Sequence, residues 1–369
     1  MSKYLVVSCN ADDKFSPVSM YIMQNKLNDV VAGAKKTADA MGAEVMYLLP
    51  EGEKVEGLEG RVEYGMTSPT LTNPYAVTQV LQGNLPRPMI QDDFIATCDG
   101  DEIACVLTPE DAYRLATDAK VRFVAVTQAG KTEVKESAIG TKLSELVDTA
   151  DAKFVLIGGL KGLVIKPSDL ANYEVSDDNL PASVTVYGQD ACVVDTVKNL
   201  VATTQSESCG KCVLCREGSL QFKQITDEMT TGKAKMTDLD LIKDVSELIE
   251  VGAYCPFGQN MPRPLVSAIE NFAPDFEEHI KKKACSTGVC YKAEAVYIIL
   301  PDKCTGCGDC VDECDEEAID GKAKFIHMID QDMCEQCGKC VSACDEEAIV
   351  AWEGKLPKLP KKLTKVGKF

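Results

Sequence analysis

The chain has 369 residues, of which 45% are hydrophobic, with a formal charge of −19 and 18 cysteines. Length and composition allow two or three cores of ordinary size. The acidic excess argues against the basic stripe that nucleic-acid binding requires, and no apolar run approaches the ~20 residues of a membrane-spanning helix. The first ten residues carry no basic segment followed by a long apolar one, so no signal peptide is expected. Clustered cysteines in a reducing, cytoplasmic compartment read as metal ligands, not as disulfides.

In chain order, Tyr4 to Val7 reads as a strand, Met20 to Met41 as a helix and Glu44 to Pro50 as a second strand. Between Arg122 and Leu163 the pattern alternates as strands do, offers one helical turn, and returns to a strand ending at Gly158 and Gly159. Leu239, Ile242, Val245, Leu248 and Ile249 recur at spacings of three and four, which predicts a helix. Cys9, Cys98 and Cys105 lie far from the other cysteines and read as buried or free thiols.

The most specific signal is a repeat. Cys304, Cys307, Cys310 and Cys314 stand as C-x2-C-x2-C-x3-C, and Cys334, Cys337, Cys340 and Cys344 repeat that spacing thirty residues later. The flanks repeat as well, CGDCVDECDEEAID against CGKCVSACDEEAIV. A [4Fe–4S] cube needs four thiolates. The first three of each run wrap one cube, and the remote fourth ligates the other. One cluster is therefore assigned to Cys304, Cys307, Cys310 and Cys344, and the second to Cys334, Cys337, Cys340 and Cys314. Asp315 and Asp345 follow the fourth cysteines. With Glu316, Glu317, Glu346 and Glu347 they are expected to disfavour the more negative, reduced cluster and lower its potential. His327, between the two runs, reads as structural.

Upstream, Cys209, Cys212 and Cys215 form another C-x2-C-x2-C, and the next cysteine is Cys255. A helical hairpin between them would return Cys255 to the triplet and complete a third [4Fe–4S] set; a zinc site on the same thiolates is the alternative. His279, Cys285 and Cys290 follow as H-x5-C-x4-C, and with Cys192 they would make a closed tetrahedral zinc site. Alternatively, His279 is a helix-dipole partner and Cys192 a core residue.

From Cys209 to Ile280 the sequences ESCGKCVLCREG and CPFGQNMPRPLVSAIENFAPDFEEHI resemble the C-terminal helical domain of the NADH-oxidising flavoprotein (51 kDa-type) subunit. That subunit occurs in respiratory complex I, NAD-linked formate dehydrogenases and electron-bifurcating iron hydrogenases. The resemblance implies a [4Fe–4S] cluster on Cys209, Cys212, Cys215 and Cys255. The hydrogenase branch continues into a two-cluster ferredoxin domain, as ACSTGVCYKAEAVYIILPDKCTGC does here, and implies zinc at Cys192, His279, Cys285 and Cys290. Upstream, FVAVTQAGKTEVKESAIGTKLSELV with FVLIGGLKG resembles the family's β-grasp domain. YLVVSCNADDKFSP, EVMYLLP and LQGNLPRP resemble its flavin-domain core.

The family's flavin and nicotinamide motifs are not matched. Its G-R-G-G-x-G-F stretch precedes the first matched strand, where this sequence begins. Leu71-Thr72-Asn73-Pro74-Tyr75 stands in place of G-E-E-T, and nothing around Asp99 to Tyr113 matches T-x-N-N-x-E-T. Asn10 and Asp12 preserve part of a flavin-side motif, or are turn residues after a strand.

The expected fold class is multidomain α/β plus α. It comprises a degenerate flavoprotein-like α/β domain (1–115), a β-grasp domain (116–188), a helical [4Fe–4S] domain (189–283) and a two-[4Fe–4S] ferredoxin domain (284–354). A basic tail (355–369) carries Lys355, Lys358, Lys361, Lys362, Lys365 and Lys368, read as a solvated end or as an arm for an acidic partner. The expected cofactors are three [4Fe–4S] clusters and one zinc, with FMN absent. The expected function is a non-catalytic electron relay in a cytoplasmic, anaerobic redox complex, between a flavoprotein or ferredoxin and a catalytic subunit, with no nucleic acid and no membrane span. The rival readings are a divergent FMN-containing NADH dehydrogenase subunit and a structural scaffold.

Overall fold

The computed structural model describes all residues except 1, 12–14, 90–94, 177–182, 291–295, 332, 353–355 and 361. The chain divides into two units, residues 1–290 and 291–369.

The first unit opens with β1 (Lys3–Ser8), α1 (Val18–Asn25), α2 (Leu27–Met41), β2 (Glu44–Pro50), β3 (Arg61–Gly65), α3 (Pro74–Leu81), β4 (Ala96–Cys98), β5 (Asp101–Leu107) and α4 (Pro109–Thr117). Among the described residues the strands form a sheet in the order β3-β2-β1-β5-β4, parallel except for the β4–β5 pair. β1 is apolar along almost its whole length because both sheet faces are covered. Leu5 and Val7 pack toward α1, α2 and α4, and Tyr4 and Val6 toward α3.

The single helix expected from Met20 to Met41 is broken in two at Lys26, whose backbone leaves the helical region at φ −132°. The break lets the Lys26 ammonium reach Glu136 at 3.0 Å and lie over the Tyr113 ring. α4 starts where Thr108 and Asp111 form a reciprocal capping box. α2 meets α4 so closely that a Cβ on Gly33 would lie 1.8 Å from the Ala112 carbonyl oxygen.

A second sheet follows: β6 (Val121–Gln128), β7 (Lys131–Ala138), β8 (Ala152–Ile157), β9 (Leu163–Ile165) and β10 (Ser183–Gly188). Its order is β7-β6-β10-β8-β9, with β6 and β10 parallel and the other pairs antiparallel. Val124, Val155, Ile157 and Val184 fill one face against short 3-10 turns.

The chain then becomes helical: α5 (Val193–Glu207), α6 (Val213–Thr231), α7 (Thr237–Gly252), α8 (Pro256–Asn260), α9 (Arg263–Asn271) and α10 (Ala273–Glu277), the last continuing into a π-turn over Glu278–Lys282. Val197, Phe222, Ile249, Leu265 and Phe276 share one core with Phe154 and Leu156 of β8, so sheet and helices are packed together. Ser267 Oγ accepts from the Val164 N–H at 2.9 Å.

The second unit contains β11 (Val296–Ile299), α11 (Asp309–Asp312), β12 (Ile319–Asp320), β13 (Met328–Ile329), α12 (Lys339–Ser342) and β14 (Ile349–Trp352). The pairs β11–β14 and β12–β13 are both antiparallel. Strands and helices recur at the thirty-residue offset of the cysteine runs, which gives the unit an internal two-fold pattern. The basic tail is not wholly a solvated end: the Ile326 N–H donates to the Thr364 carbonyl at 2.9 Å, and Phe325 pairs with Lys365. Lys355 and Lys361 lie outside the described residues.

Gly33→Ala is expected to destabilise the first unit by about 1–3 kcal/mol, because a backbone carbonyl cannot yield as a side chain can. Chemical denaturation followed by circular dichroism should show a lowered first midpoint; an unchanged midpoint would contradict the α2–α4 contact.

Candidate metal and cluster sites

The ligand atoms of Cys192, His279, Cys285 and Cys290 all lie within 4.8 Å of one another. Cys192 stands at the N-terminus of α5, and the π-turn presents His279, which is 1% exposed. His279 Nδ1 lies 2.7 Å from the Asp275 carbonyl oxygen, which can only accept, so Nδ1 carries the hydrogen. Nε2 faces Cys290 Sγ at 2.8 Å and Cys192 Sγ at 3.4 Å. This is the arrangement of a metal-ligating imidazole whose other nitrogen is fixed by a backbone oxygen. Lys153 fastens the surroundings: it pairs with Asp275 at 3.1 Å and donates to the Ala191 carbonyl at 3.2 Å.

The electrostatics of the set favour a cation. Hydrogen bonds from Cys290 and His279 hold the Cys192 thiol down at about 3, burial notwithstanding. The Cys290 thiol, beside that thiolate, is pushed far up. His279 rises to about 9, against the effect of its burial, because Cys192 faces it. Burial works against ionising Cys285, but the hydrogen bond with Thr287 brings it to about 7. Protons are shared unevenly where three sulfurs and an imidazole converge, and a divalent cation relieves that frustration.

In the helical region, α6 and α7 fold as a hairpin and bring Cys255 back beside Cys209, Cys212 and Cys215, whose charges act on it and on Cys215. Burial, then the neighbouring sulfurs, push Cys215 and Cys255 up, against the hydrogen bonds each receives. Backbone donors point at the sulfurs: Tyr254 N–H to Cys212 at 3.4 Å and Gly258 N–H to Cys255 at 3.5 Å. Gly258 packs closely here: a Cβ on it would lie 3.0 Å from Ala253 Cβ, with Cys215 Sγ in ordinary contact at 3.5 Å.

In the second unit the eight thiols fall into two crossed sets. One cavity is lined by Cys304, Cys307, Cys310 and Cys344, the other by Cys334, Cys337, Cys340 and Cys314. The Cys310 thiol is pushed up to about 12 by burial and by Cys304, Cys307 and Cys344. Cys340 rises through burial and through Cys334 and Cys337, with Cys314 adding to them. Four thiolates brought together in this way would need positive charge among them, which iron would supply.

Asp315 does not stand as a bare charge, because its carboxylate is ion-paired with Lys339. An ammonium that the run spacing did not point to therefore stands beside the Asp315 charge. Nor is His327 remote from the cysteines: it is 2% exposed, its Nδ1 lies 3.9 Å from Cys304 Sγ, and burial holds it below the ordinary imidazole range.

Of the expected flavin-side residues, Asn10 binds the sheet through its amide nitrogen, while its Oδ1 is buried without a hydrogen-bond partner among the described residues. Asn10 is fully buried, and its Nδ2 donates to the carbonyls of Leu49, Gly65 and Met66 at 3.2, 2.8 and 3.0 Å, tying β2 and β3 together at their C-terminal ends. Asp12 lies outside the described residues. In Leu71-Thr72-Asn73-Pro74-Tyr75, Asn73 caps α3 and exchanges hydrogen bonds with the Met89 backbone. Cys9 is buried in the first sheet's core, and Cys98 and Cys105 are half-buried.

This cysteine geometry defines an iron–sulfur protein of the electron-transport class. Two regions carry family matches: residues 195–279 match the NADH-ubiquinone oxidoreductase-F iron-sulfur binding region, and residues 296–345 a 4Fe-4S dicluster domain. The chain resembles the 51 kDa-type subunit extended by a ferredoxin domain. It is 38% identical over 177 residues to the HndC subunit of an NADP-reducing hydrogenase from Solidesulfovibrio fructosivorans, a match covering 46% of this chain and 36% of that one. It is 21% identical over 345 residues to the F subunit of the NADH-quinone oxidoreductase from Rhodobacter capsulatus, covering 76% of this chain and 79% of that one. Its fold is similar to a chain of an NAD+-reducing [NiFe]-hydrogenase in the H2-reduced state, with a TM-score of 0.67, 18% identity, and coverage of 76% and 57%. The match to the HndC subunit thus spans about a third of that protein's length. Among the described residues no helix is long and apolar enough to cross a membrane.

Lys153→Met is expected to weaken divalent-metal affinity at the Cys192 set about tenfold while leaving its capacity intact, the usual size of an outer-shell loss. Competition against a zinc-chelating dye measures it; an unchanged affinity would contradict the bracing role.

Proposed function

We propose that the chain is a non-catalytic electron-relay subunit of a hetero-oligomeric oxidoreductase, holding three [4Fe–4S] clusters and one structural zinc. The observation that carries this reading is the sorting of twelve cysteines into three sets of four, two of them crossed between repeats. Cys209, Cys212, Cys215 and Cys255 would hold one cluster. Cys304, Cys307, Cys310 and Cys344 would hold the second, and Cys334, Cys337, Cys340 and Cys314 the third. Each cluster, when bound, supplies reversible one-electron storage. Cys192, His279, Cys285 and Cys290 would hold zinc. All four positions of that set are protein ligands, which marks a structural rather than a catalytic site. The partners are redox subunits, a flavoprotein or ferredoxin on one side and a catalytic subunit on the other, in a cytoplasmic, anaerobic setting. The domain boundaries expected from the sequence belong to the same proposal.

A second reading, a divergent FMN-containing NADH dehydrogenase subunit, has one observation in its favour. A groove of about 490 Å³ opens at the C-terminal ends of β2 and β3, lined by Pro50, Gly65, Met66, Leu85 and Cys209 among others. Ligands of parallel α/β sheets gather at that end. Among the described residues, however, its lining carries the carboxylates of Glu51 and Glu207 and no cation. Such a lining repels the phosphates of a flavin or nicotinamide nucleotide.

Purified anaerobically, the chain is expected to carry about twelve irons, one zinc and no acid-releasable flavin, and NADH alone should not bleach it. One FMN per chain together with NADH-dependent bleaching would overturn the relay reading in favour of the dehydrogenase. Cys255→Ser is expected to remove about four irons and leave the ferredoxin-type pair; loss of all iron would contradict three separate sets.

A further inference from the structure

The internal two-fold pattern of the second unit is not exact. Tyr297 stands seven residues before Cys304, and His327 seven residues before Cys334, so the two are equivalent positions of the repeat. Each faces the cysteine set of the opposite run. Tyr297 lines the cavity of Cys334, Cys337, Cys340 and Cys314, and His327 lines that of Cys304, Cys307, Cys310 and Cys344. The repeat therefore places a phenol beside one set and an imidazole beside the other.

The imidazole is held in place. A Cβ on Gly321 would fall 2.0 Å from His327 Cδ2, so only glycine lets the ring lie there. The neighbouring Ile326 N–H is tied to the tail through Thr364. Nδ1 faces Cys304 Sγ at 3.9 Å. A cluster-ligating thiolate carries no proton, so this contact is a hydrogen bond only with the hydrogen on Nδ1, donated to sulfur. Among the described residues, no hydrogen bond joins Tyr297 to a cysteine sulfur.

Donation to a ligating sulfur stabilises the reduced, more negative cluster and raises its potential. The charges act in the same direction. Glu313, Asp315, Glu316 and Glu335, with Lys339 as the sole cation, line the Tyr297 cavity, whereas Glu346 is the carboxylate lining the His327 cavity.

We propose that His327 is a positioning residue that makes the two ferredoxin-type sites inequivalent, so that the site of Cys304, Cys307, Cys310 and Cys344 accepts an electron first. One electron enters from the external donor and no atom is transferred. The inference rests on the cluster assignment proposed above.

The test is a redox titration of the reconstituted 369-residue chain, read by electron paramagnetic resonance, with dithionite as donor. The two ferredoxin-type clusters are expected to reduce in separate steps. His327→Phe should shift the higher step down by about tenfold in its reduction equilibrium, about 59 mV for one electron, and leave the lower step in place. His327→Gln, which keeps an N–H donor, should restore most of the shift, and Gly321→Ala should lower the same step by displacing the ring. Intact iron content with no shift in His327→Phe, or with equal shifts in both steps, would overturn the inference alone. Absence of two ferredoxin-type clusters from the native chain would overturn the assignment beneath it.

Discussion

The structure depends on thiolates being held nearer to one another than their charges allow without a cation. Burial and the facing sulfurs drive Cys310 up to about 12, and the Cys192 set divides its protons between extremes. A protein that gathers sulfur in this way needs rigid supports, because each ligand set is drawn from separate segments. The hairpin of α6 and α7 supplies one support. The crossed runs of the second unit supply another, since each set borrows its fourth cysteine from the other repeat. The Lys153 clasp, reaching both Asp275 and the residue before Cys192, supplies a third.

The α/β portion is best understood by what its polar groups do. In a nucleotide-binding sheet the groups at the C-terminal strand ends stay available for ligand. Here the Asn10 amide nitrogen donates to three backbone carbonyls, Asn73 caps a helix and bonds the Met89 backbone, and the groove at the ends of β2 and β3 carries carboxylates. The sheet's fold is similar to that of a hydrogenase chain, while these two asparagines serve its cohesion.

Much of this was legible in the sequence where ligands are close in the chain. The two C-x2-C-x2-C-x3-C runs point to cluster ligation by spacing, while spacing leaves iron–sulfur and zinc open at the Cys209 triplet and the family resemblance implies iron–sulfur. The strands from Tyr4 and Glu44 follow from their apolar runs. Contacts that join distant segments were harder to read. Cys192 lies 87 residues from His279; spacing left their association open, the family resemblance implied it, and the four ligand atoms do converge within 4.8 Å. The break at Lys26 has no glycine or proline to announce it, and it places the ammonium beside Glu136 and Tyr113. The Asp315–Lys339 pair sets an ammonium beside one carboxylate of the acidic flank, a contact between the two runs that spacing does not show. His327 showed only as a histidine between two runs; its role emerges once the two-fold pattern sets it against Tyr297.

The central claim is that this chain stores and passes electrons one at a time through three iron–sulfur sites without a flavin. An anaerobic reductive titration, counting electrons taken up per chain while the visible spectrum is recorded, addresses it most directly. The account predicts uptake of about three electrons per chain, with bleaching of the broad sulfur-to-iron absorption alone. Uptake of about five electrons, with loss of a flavin band, would contradict it.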